Sequence, residues 1–507
     1  MNAQPAAASL DSILATVQAK SPASEQVLAR DFARAYLARL PEEELSLRPA
    51  AYWAGIALGA LELARQRPSG QALIRVFNAS AGDAIDSAHT VVQIDNDDMP
   101  FLVDSVSMLM AQHGIAMHGI VHPVFPLRRD ASGQLLAIGD GAAESFMHLE
   151  IDRQADEQAM RQLRDEIARA LDDVRASVAD WKQMRAKMEA IADELGDRVM
   201  PVGEGQRAEA QAFLRWAADN HFTFLGYREY EVAPQNGKPM LCPVQGTGLG
   251  LMRGKDADAA PRPLTGLAAA DLPAGVKMDP LILTKTNARS TVHRAGYMDY
   301  IGVLTFDKDG RAVREQRFLG LYTSSAYNRR PWDIPVVRQR FEDVMQASGL
   351  AESGHSGKAL KHILETLPRD ELFQASAEEL TRTGLGILSL QERVRPRLFL
   401  RRDRYGRFYS ALVYIPRDRF NTEIRQRIEA LLMRELKGER LDTTIQIGES
   451  PLAWLHARGK LTVRRYAAGE ALRRDWERIS PQRAWDDVRS NVKQGFEHAR
   501  RGSSSST

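Results

Sequence analysis

The segment from Ala88 to Gly114 changes its hydrophobic period within a few residues, and this change limits the possible folds more than any other feature. Its first part, AHTVVQID, is rich in β-branched residues and predicts a buried strand. From Leu102 onward, apolar residues recur every three or four positions, which predicts an amphipathic helix. Only the polar run NDDMP and Phe101 separate the two patterns. A strand that leads so directly into a helix predicts an α+β domain.

The polar run itself allows two interpretations. Asp98 is a good N-cap residue, Pro100 is tolerated in a first helical turn, and Gly114 suits the helix end. Under this interpretation the run is a capped and solvated connection. The alternative is a ligand site, because the free N–H groups and the positive end of a helix attract carboxylates.

The following residues continue the α+β pattern. IAMHGIVHPVFPLRR and ESFMHLEID predict two strands on either side of a turn at Asp130 to Gly133. Ala155 to Val174 predicts a charged amphipathic helix. The order strand, helix, strand, strand, helix is typical of a ferredoxin-like domain.

The stretch DNDDMPFLVDSVSMLMAQHGIAMHGI resembles the first strand, loop and helix of an ACT domain, a ferredoxin-like module that binds amino acids at this connection. Together with further stretches it resembles the N-terminal region of the large bacterial NAD-dependent glutamate dehydrogenases. The further stretches are RPSGQALIRVFN, NHFTFLGYREYEV, TKTNARSTVHRAGYMDYIGV, RFLGLYTSSAYN, HSGKALKHILETLPRDELF and RDRYGRFYSALVYIPRDRFNTEIRQRIEALL. They occur in order along nearly the whole chain.

The resemblance implies an amino-acid effector site at the connection. In such a site Asp97 or Asp98 would accept the ligand ammonium, and the helix amides would bind its carboxylate. The crowded carboxylates oppose this, since they disfavour a second anion. The predicted effector-binding residues are Asn96, Asp97, Asp98, Met99, Pro100, Phe101 and Leu102.

A second polar cluster lies in TKTNARSTVHR. Alternation along a strand would place several of its polar side chains on one face. They could clamp a carboxylate, or they could form a solvated face or an intersubunit contact, because arginine forks serve both purposes. The cluster comprises Lys285, Asn287, Arg289, Ser290, His293 and Arg294.

The predicted fold class is α+β, with several ferredoxin-like (ACT-type, βαββαβ) units and helical N-terminal and connecting segments. The length of 507 residues is too great for one core and requires several domains. The expected division is a helical segment at 1–68, ACT-like domains at 69–180, 200–331 and 355–465, and a helical exit with a disordered tail at 466–507.

The motifs of catalysis and metal binding are not found in the sequence. There is no G-x-G-x-x-G that opens a helix, and the single cysteine, Cys242, excludes a cysteine-based metal cluster within one chain. No metal site is therefore predicted. The resemblance implies that NAD binds in a catalytic domain outside this segment, and that the segment alone is inactive.

Charge and hydropathy bear on partners and location. The net charge is only +2, no apolar run reaches the ~20 residues of a membrane span, and a single cysteine fits a reducing cytoplasm. We expect a homo-oligomer with an amino-acid effector and the catalytic domain of the same parent chain as partners, and no nucleic acid or membrane. Two alternatives stay open: a purely structural assembly segment, and a nucleic-acid-binding protein that uses the arginine-rich stretch between Arg382 and Arg440.

Overall fold

The structure is a computed structural model that describes residues 8–79, 85, 87–198, 200–235, 238–255, 260–263, 279–392, 395–436, 440–447 and 450–459. The chain divides into two compact units. The first comprises Met1–Ala179 and Ser290–Gly296, and the second comprises Asp180–Arg289 and Tyr297–Thr507. The predicted tail at 466–507 lies outside the described residues.

The first unit combines N-terminal helices with a six-stranded antiparallel sheet of order β1-β2-β6-β4-β5, in which β3 also pairs with β6. Its elements are α1 Leu10–Lys20, α2 Gln26–Leu37, α3 Glu42–Ser46, α4 Ala50–Ala64, β1 Leu73–Asn78, β2 Thr90–Asp97, α5 Leu102–Gln112, β3 Met117–Val121, β4 Val124–Arg129, β5 Leu135–Ile138, β6 Ala142–Ile151 and the first part of α6 Glu157–Glu194. The predicted strand, helix, strand, strand, helix order is confirmed.

The N-terminal helices pack on one face of this sheet. Phe32 of α2 lies 5.3 Å from Phe125 of β4 and 5.5 Å from Phe146 of β6, measured between ring centroids. All three rings are buried, and each contributes about 1.5–3 kcal/mol relative to exposure. Helices that cover this face leave β2 and β6 at the centre of the unit.

The second unit contains two antiparallel sheets and a group of helices. A seven-stranded sheet has the order β10-β8-β7-β13-β12-β11, with β9 on β7, and a four-stranded sheet has the order β14-β15-β17-β16. The elements are α7 Glu204–Trp216, β7 Phe222–Gln235, β8 Lys238–Pro243, β9 Leu249–Gly250, β10 Arg262–Pro263, β11 Leu281–Arg289, β12 Tyr297–Phe306, β13 Ala312–Tyr322, α8 Ser324–Asn328, α9 Val337–Ser348, α10 His355–Thr366, α11 Arg369–Gln374, α12 Ala377–Glu392, β14 Arg397–Arg402, β15 Tyr409–Pro416, α13 Thr422–Glu435, β16 Asp442–Gln446 and β17 Leu452–Gly459.

The seven-stranded sheet differs from the βαββαβ pattern expected at 200–331. Its regular elements from Phe222 to Tyr322 are all strands in the part of the chain that the structure describes. The long strands β7, β12 and β13 pair directly as neighbours, so no helical crossover separates them. By contrast, β14, β15, α13, β16 and β17 form a four-stranded sheet covered by one helix, because Ile428 and Leu432 of α13 pack on Val413 and Leu455.

A substitution at Gly320 tests the close pairing of β13 with β7. A Cβ atom there would overlap the carbonyl oxygen of Thr223 and lie 2.6 Å from a ring carbon of Phe222. We expect Gly320→Ala to lower the free energy of unfolding by about 3 kcal/mol, as other overpacked sites do. The matched control is Gly205→Ala in α7, where a Cβ atom meets nothing within 4 Å and alanine favours the helix. Equal effects of the two substitutions in urea denaturation would contradict the strand pairing described here.

Candidate functional site

The connection between β2 and α5 is shorter than the polar run suggested. Strand β2 continues through Asp97 and α5 begins at Leu102, so only Asp98, Met99, Pro100 and Phe101 form the connection. Of the predicted effector-binding residues, Asn96 and Asp97 therefore belong to the strand and Leu102 to the helix. The connection is four residues long, which places the strand end next to the helix N-terminus.

The prediction that Asp98 caps α5 is wrong. The N-cap residue is Phe101, which adopts a left-handed conformation with φ of 73°, and no side chain caps the helix. The backbone N–H of Asp98 instead donates to the carbonyl of Ala143 at 3.1 Å, continuing the pairing of β2 with β6. The Asp98 side chain is thereby left exposed beside the helix end.

Arginine side chains bind both polar residues at the end of β2, Asn96 and Asp97. The guanidinium of Arg67 lies 2.8 Å from the carboxylate of Asp97, and Arg175 of α6 donates to Asp97 and to the side-chain oxygen of Asn96. Burial opposes ionisation of Asp97, but the hydrogen bonds from Arg175 and Arg67 outweigh it and lower its pKa. Asp97 is therefore a firmly ionised, paired carboxylate, and an incoming ammonium would compete with two arginines for it.

A buried ionic network lies directly behind Asp97. Arg129 donates to both carboxylate oxygens of Glu144 at 2.6 and 2.7 Å, and Arg67 lies 3.0 Å from Glu144 and 3.4 Å from Asp95. Asp95 is fully buried, Glu144 is 2 % exposed and Arg67 is 2 % exposed. The network of Arg67, Asp95, Asp97, Arg129, Glu144 and Arg175 contains three basic and three acidic side chains. We call these six residues the strand-end network.

The two inner carboxyl groups of the strand-end network carry different charges. Burial, and then the nearby negative charge of Glu144, raise the pKa of Asp95 to about 8. Burial also acts on Glu144, but hydrogen bonds from Arg129 and Arg67 outweigh it and lower the pKa of that group. Near neutral pH, Glu144 is ionised and Asp95 holds a proton.

Sequence reasoning missed Arg67, Arg129, Glu144 and Arg175 as parts of this site. The available signal is polarity of period two within an apolar strand: Gln93, Asp95 and Asp97 alternate with Val92 and Ile94. Such alternation predicts a polar sheet face. It cannot identify the arginines, which come from distant positions in the chain.

The second predicted cluster is divided between the two units. Ser290 and His293 belong to the first unit, where the His293 N–H donates to Ser105 Oγ at 3.0 Å and the His293 ring lies 4.7 Å from that of Phe101. Arg294 is exposed in the same turn. This turn therefore contacts the start of α5, next to the connection.

The remaining members of that cluster lie in the second unit, and they do not form one clamp. Lys285 is buried and pairs with Asp299 at 2.8 Å and Asp370 at 3.2 Å, whereas Arg289 pairs with Asp442 at 2.6 Å. Asn287 is exposed. The register of β11 is irregular between Lys285 and Arg289, which breaks the simple alternation that the sequence suggested.

A serine, a histidine and a glutamate also meet in the second unit. Ser410 Oγ lies 2.8 Å from His456 Nε2 and 2.5 Å from Glu371, whose carboxylate is 3.4 Å from the same Nε2. In a hydrolase the acid orients the second ring nitrogen, which is not the case here. Ser410 is 2 % exposed, so this group is a buried polar contact within the fold.

Comparison with known proteins identifies three parts of the chain. Residues 32–167 match the glutamate dehydrogenase ACT1 domain, residues 334–393 its helical motif 1, and residues 397–477 its ACT2 domain. The helices α10, α11 and α12, which were expected within a third ACT-like domain, thus fall in a separate helical motif. The fold and these matches define an ACT-domain-containing protein.

Curated relatives agree with these matches. The chain is 36% identical over 438 residues to the NAD-specific glutamate dehydrogenase of Halomonas elongata, covering 83% of this chain and 27% of the relative. It is 36% identical over 471 residues to that of Pseudomonas aeruginosa, covering 91% and 29%, and 31% identical over 427 residues to that of Mycobacterium tuberculosis, covering 82% and 25%. The chain belongs to the NAD-specific glutamate dehydrogenase family and spans between 25% and 29% of the length of these relatives. Among the described residues, no helix has the length and apolarity needed to cross a membrane.

Removal of one arginine tests the strand-end network. Arg129→Met leaves the buried Glu144 without its bidentate partner, and loss of one member of a buried ion pair typically costs about 3–5 kcal/mol. The matched control is Arg161→Met, which removes an exposed helical pair with Glu157 worth about 0.3–0.5 kcal/mol. Free energies of unfolding from urea denaturation measure both. A loss below about 1 kcal/mol for Arg129→Met would show that the network does not stabilise the unit.

The raised pKa of Asp95 predicts a pH dependence of stability that Asp95→Asn removes. The folded wild type keeps the Asp95 proton up to about pH 8, whereas the unfolded chain releases it near 3.8, so the wild type loses stability as the pH rises between these values. Asn at position 95 resembles the protonated acid and does not titrate. The free energy of unfolding of Asp95→Asn relative to wild type should therefore rise by on the order of 2 kcal/mol between pH 6 and pH 9. A difference that stays constant or falls would contradict the assignment of the proton to Asp95.

Proposed function

We propose that this chain is the regulatory and oligomerisation segment of an NAD-dependent glutamate dehydrogenase, and that an amino-acid effector binds at the connection between β2 and α5. The parent reaction is the oxidative deamination of glutamate to 2-oxoglutarate and ammonia. In this proposal NAD and glutamate bind in a catalytic domain of the parent chain outside these residues. The ACT1 and ACT2 matches and the curated relatives support it.

The observation that carries the proposal is the uncapped start of α5 beside an exposed carboxylate. The N-cap residue Phe101 makes no side-chain cap, and no other described side chain binds the first N–H groups, which are therefore available to a ligand carboxylate. Asp98 is exposed next to them, and it can accept the ammonium group of the same ligand. A zwitterionic amino acid thus finds both complementary charges within one short connection.

The strand-end network reduces the main objection to this site. The two ionised members, Asp97 and Glu144, would repel a ligand carboxylate if they were free. They are balanced by Arg67, Arg129 and Arg175 and are held on the strand side of the connection. Asp98 is then the acidic side chain that is left to select the ammonium group.

Regulation would follow from linkage. An effector that binds one quaternary state more tightly than another shifts the equilibrium by its difference in affinity, typically about 1–3 kcal/mol. Within the first unit, the turn Ser290–Gly296 contacts Phe101 and Ser105. A ligand bound at the connection would therefore change the contacts of this turn. This turn joins β11 to β12, which gives a covalent route from the site to the second unit.

Homo-oligomerisation is the second part of the proposal, and the edge of the four-stranded sheet supports it. Strand β16 pairs only with β17 in the described part of the sheet, and Ile445 and the following Ile447 are 37% and 57% exposed. An exposed edge strand with apolar side chains is a template for pairing with a second copy of the chain. An assembly segment without an effector would share this feature and would not respond to amino acids.

Nucleic-acid binding has less support from the arginine-rich stretch. Arg401, Arg425 and Arg427 pair with Glu371, Glu429 and Glu423, respectively, so their charges are largely balanced within the chain. Binding of this kind would weaken steeply with salt. Amino-acid sensing would depend little on salt.

Thermal unfolding with each of the twenty amino acids and with NAD, at two salt concentrations, tests the proposed function. One or two amino acids should raise the melting temperature of the wild type, by about 5 °C at a hundredfold excess over the dissociation constant. Asp98→Asn should abolish the response, because it removes the ammonium partner and preserves the size of the side chain. The control Asp165→Asn, an exposed position on α6, should retain it.

The remaining outcomes separate the alternatives. A flat response to all amino acids, with oligomers in light scattering that Ile445→Lys dissociates, would leave assembly alone as the function. Stabilisation by NAD would contradict the placement of the nucleotide site outside this chain.

A further inference from the structure

Arg458 is an unusual buried cation in the second unit. It lies on β17 and is only 6% exposed, yet its Nε has no hydrogen-bond partner among the residues that the structure describes. Its nearest carboxylate oxygen, in Asp370, is 3.9 Å from Nη1, which is beyond hydrogen-bond distance. Buried charges are ordinarily both paired and hydrogen-bonded, so this guanidinium lacks the partner that its burial requires.

Two aromatic rings hold the Arg458 guanidinium in place. Its central carbon lies 4.1 Å from the ring centroid of Phe408 and 5.1 Å from that of Tyr297. Stacking covers the faces of a guanidinium and leaves its edge, which carries the N–H donors, free to bind a ligand. An edge of this kind presents the fork that matches a carboxylate or phosphate group.

Two further arginines extend this centre toward the surface. Arg289 lies 5.7 Å from the same Tyr297 ring, its Nη2 binds Asp442, and its Nε has no hydrogen-bond partner in the described part of the chain. Arg440 is 56% exposed and lies 3.9 Å from Asp442, which is the cross-strand neighbour of Arg458. The side-chain exposure thus increases from 8% for Arg458 through 24% for Arg289 to 56% for Arg440, so the three arginines lead from the protein interior to the surface.

The carboxylates around these arginines are each shared among several basic side chains. Asp442 serves both Arg289 and Arg440, and Asp370 is shared with Lys285, which lies closer to it at 3.2 Å and also pairs with Asp299. Asp403 is buried nearby and also attracts Arg458, so these four basic side chains face four carboxylates. Arg458 is the member of this group that no carboxylate approaches within hydrogen-bond distance among the described residues.

We propose that Arg458, Arg289 and Arg440 form a binding site for a small oxyanion, a carboxylate or phosphate group, around the ring of Tyr297. The ligand oxyanion accepts hydrogen bonds from the free edge of Arg458 and from Arg289 Nε, and Arg440 supplies charge at the entrance. The site lies on the face of the four-stranded sheet that carries Ser410 and His456, whereas α13 covers the opposite face through Val413 and Leu455. It belongs to the second unit and is separate from the β2–α5 connection of the first.

Isothermal titration calorimetry with inorganic phosphate and with succinate, at ionic strength held constant with chloride, tests this site. We expect saturable binding of at least one of the two anions to the wild-type chain, and the anion that binds identifies the oxyanion class. Arg458→Gln and Arg289→Gln should each weaken binding about tenfold or more, since each removes charge-assisted hydrogen bonds. Arg458→Lys keeps the charge without the fork and should also bind more weakly than wild type.

The control variant is Arg427→Gln, which removes an arginine from an exposed helical pair on α13 and should bind like wild type. Arg440→Gln is exposed and should fold, so it tests the site even if Arg458→Gln does not fold; we expect it to weaken binding by a factor of about two to five. Absence of saturable binding, or equal weakening by Arg427→Gln, would overturn the proposal. The Asp98→Asn variant should bind the anion like wild type. The oxyanion site of the second unit and the proposed amino-acid site of the first unit can therefore be refuted independently of each other.

Discussion

The pairing of Arg67 and Arg129 with Asp95 and Glu144 is the interaction on which the geometry of the first unit depends. Arg67, Asp95 and Glu144 are buried and the Arg129 side chain is only 10% exposed, so a single unpaired charge among them costs several kcal/mol. A slip of β2 by one residue would turn Asp95 and Asp97 to the opposite face of the sheet and bring Ile94 to the arginines. We infer that the network fixes the register of β2 against β6, and hence the position at which the strand ends and the connection to α5 begins.

This register has a direct consequence for the candidate effector site. Since Asp97 is the last strand residue and is paired with two arginines, the connection starts at the exposed Asp98. The left-handed conformation of Phe101 then lets α5 begin without a side-chain cap. Strain of this kind in a residue with a bulky side chain is found where the surrounding structure holds it, and here the ring of His293 packs against Phe101. The same contacts that shape the connection therefore link it to the turn Ser290–Gly296.

The sequence predicted the features that depend on neighbouring residues. The strand β2, the helix α5 with its end near Gly114, and the turn at Asp130–Gly133 are all present. Each of these follows from hydrophobic period, a short-range hydrogen bond or a glycine with positive φ. The polar face of β2 was also visible as alternation.

The features that were missed depend on residues that are far apart in sequence. Arg67 and Glu144 are separated by 77 positions, and no local pattern indicates that they meet. Local chemistry favours Asp98 as a helix cap. However, the backbone hydrogen bond from Asp98 to Ala143 extends the strand pairing, so Asp98 belongs to the end of the strand and Phe101 is the N-cap residue. Likewise, the pattern at Lys285 to Arg289 suggested one polar strand face, and the irregular register with β12 divides it.

The two groups of buried arginines illustrate how one residue type serves different purposes. In the first unit each guanidinium of the strand-end network contacts carboxylates directly, so the group is closed and its contribution is to register and stability. In the second unit Arg458 is held mainly by Phe408 and Tyr297, and such stacking contributes about 0.5–2 kcal/mol, less than the cost of removing a cation from water. The rest of the fold must offset that difference. A bound oxyanion would recover part of this desolvation cost. The arginines of the first unit already have carboxylate partners, whereas Arg458 does not have one within hydrogen-bond distance in the part of the chain that the structure describes. For this reason we assign a structural role to the first group and a binding role to the second.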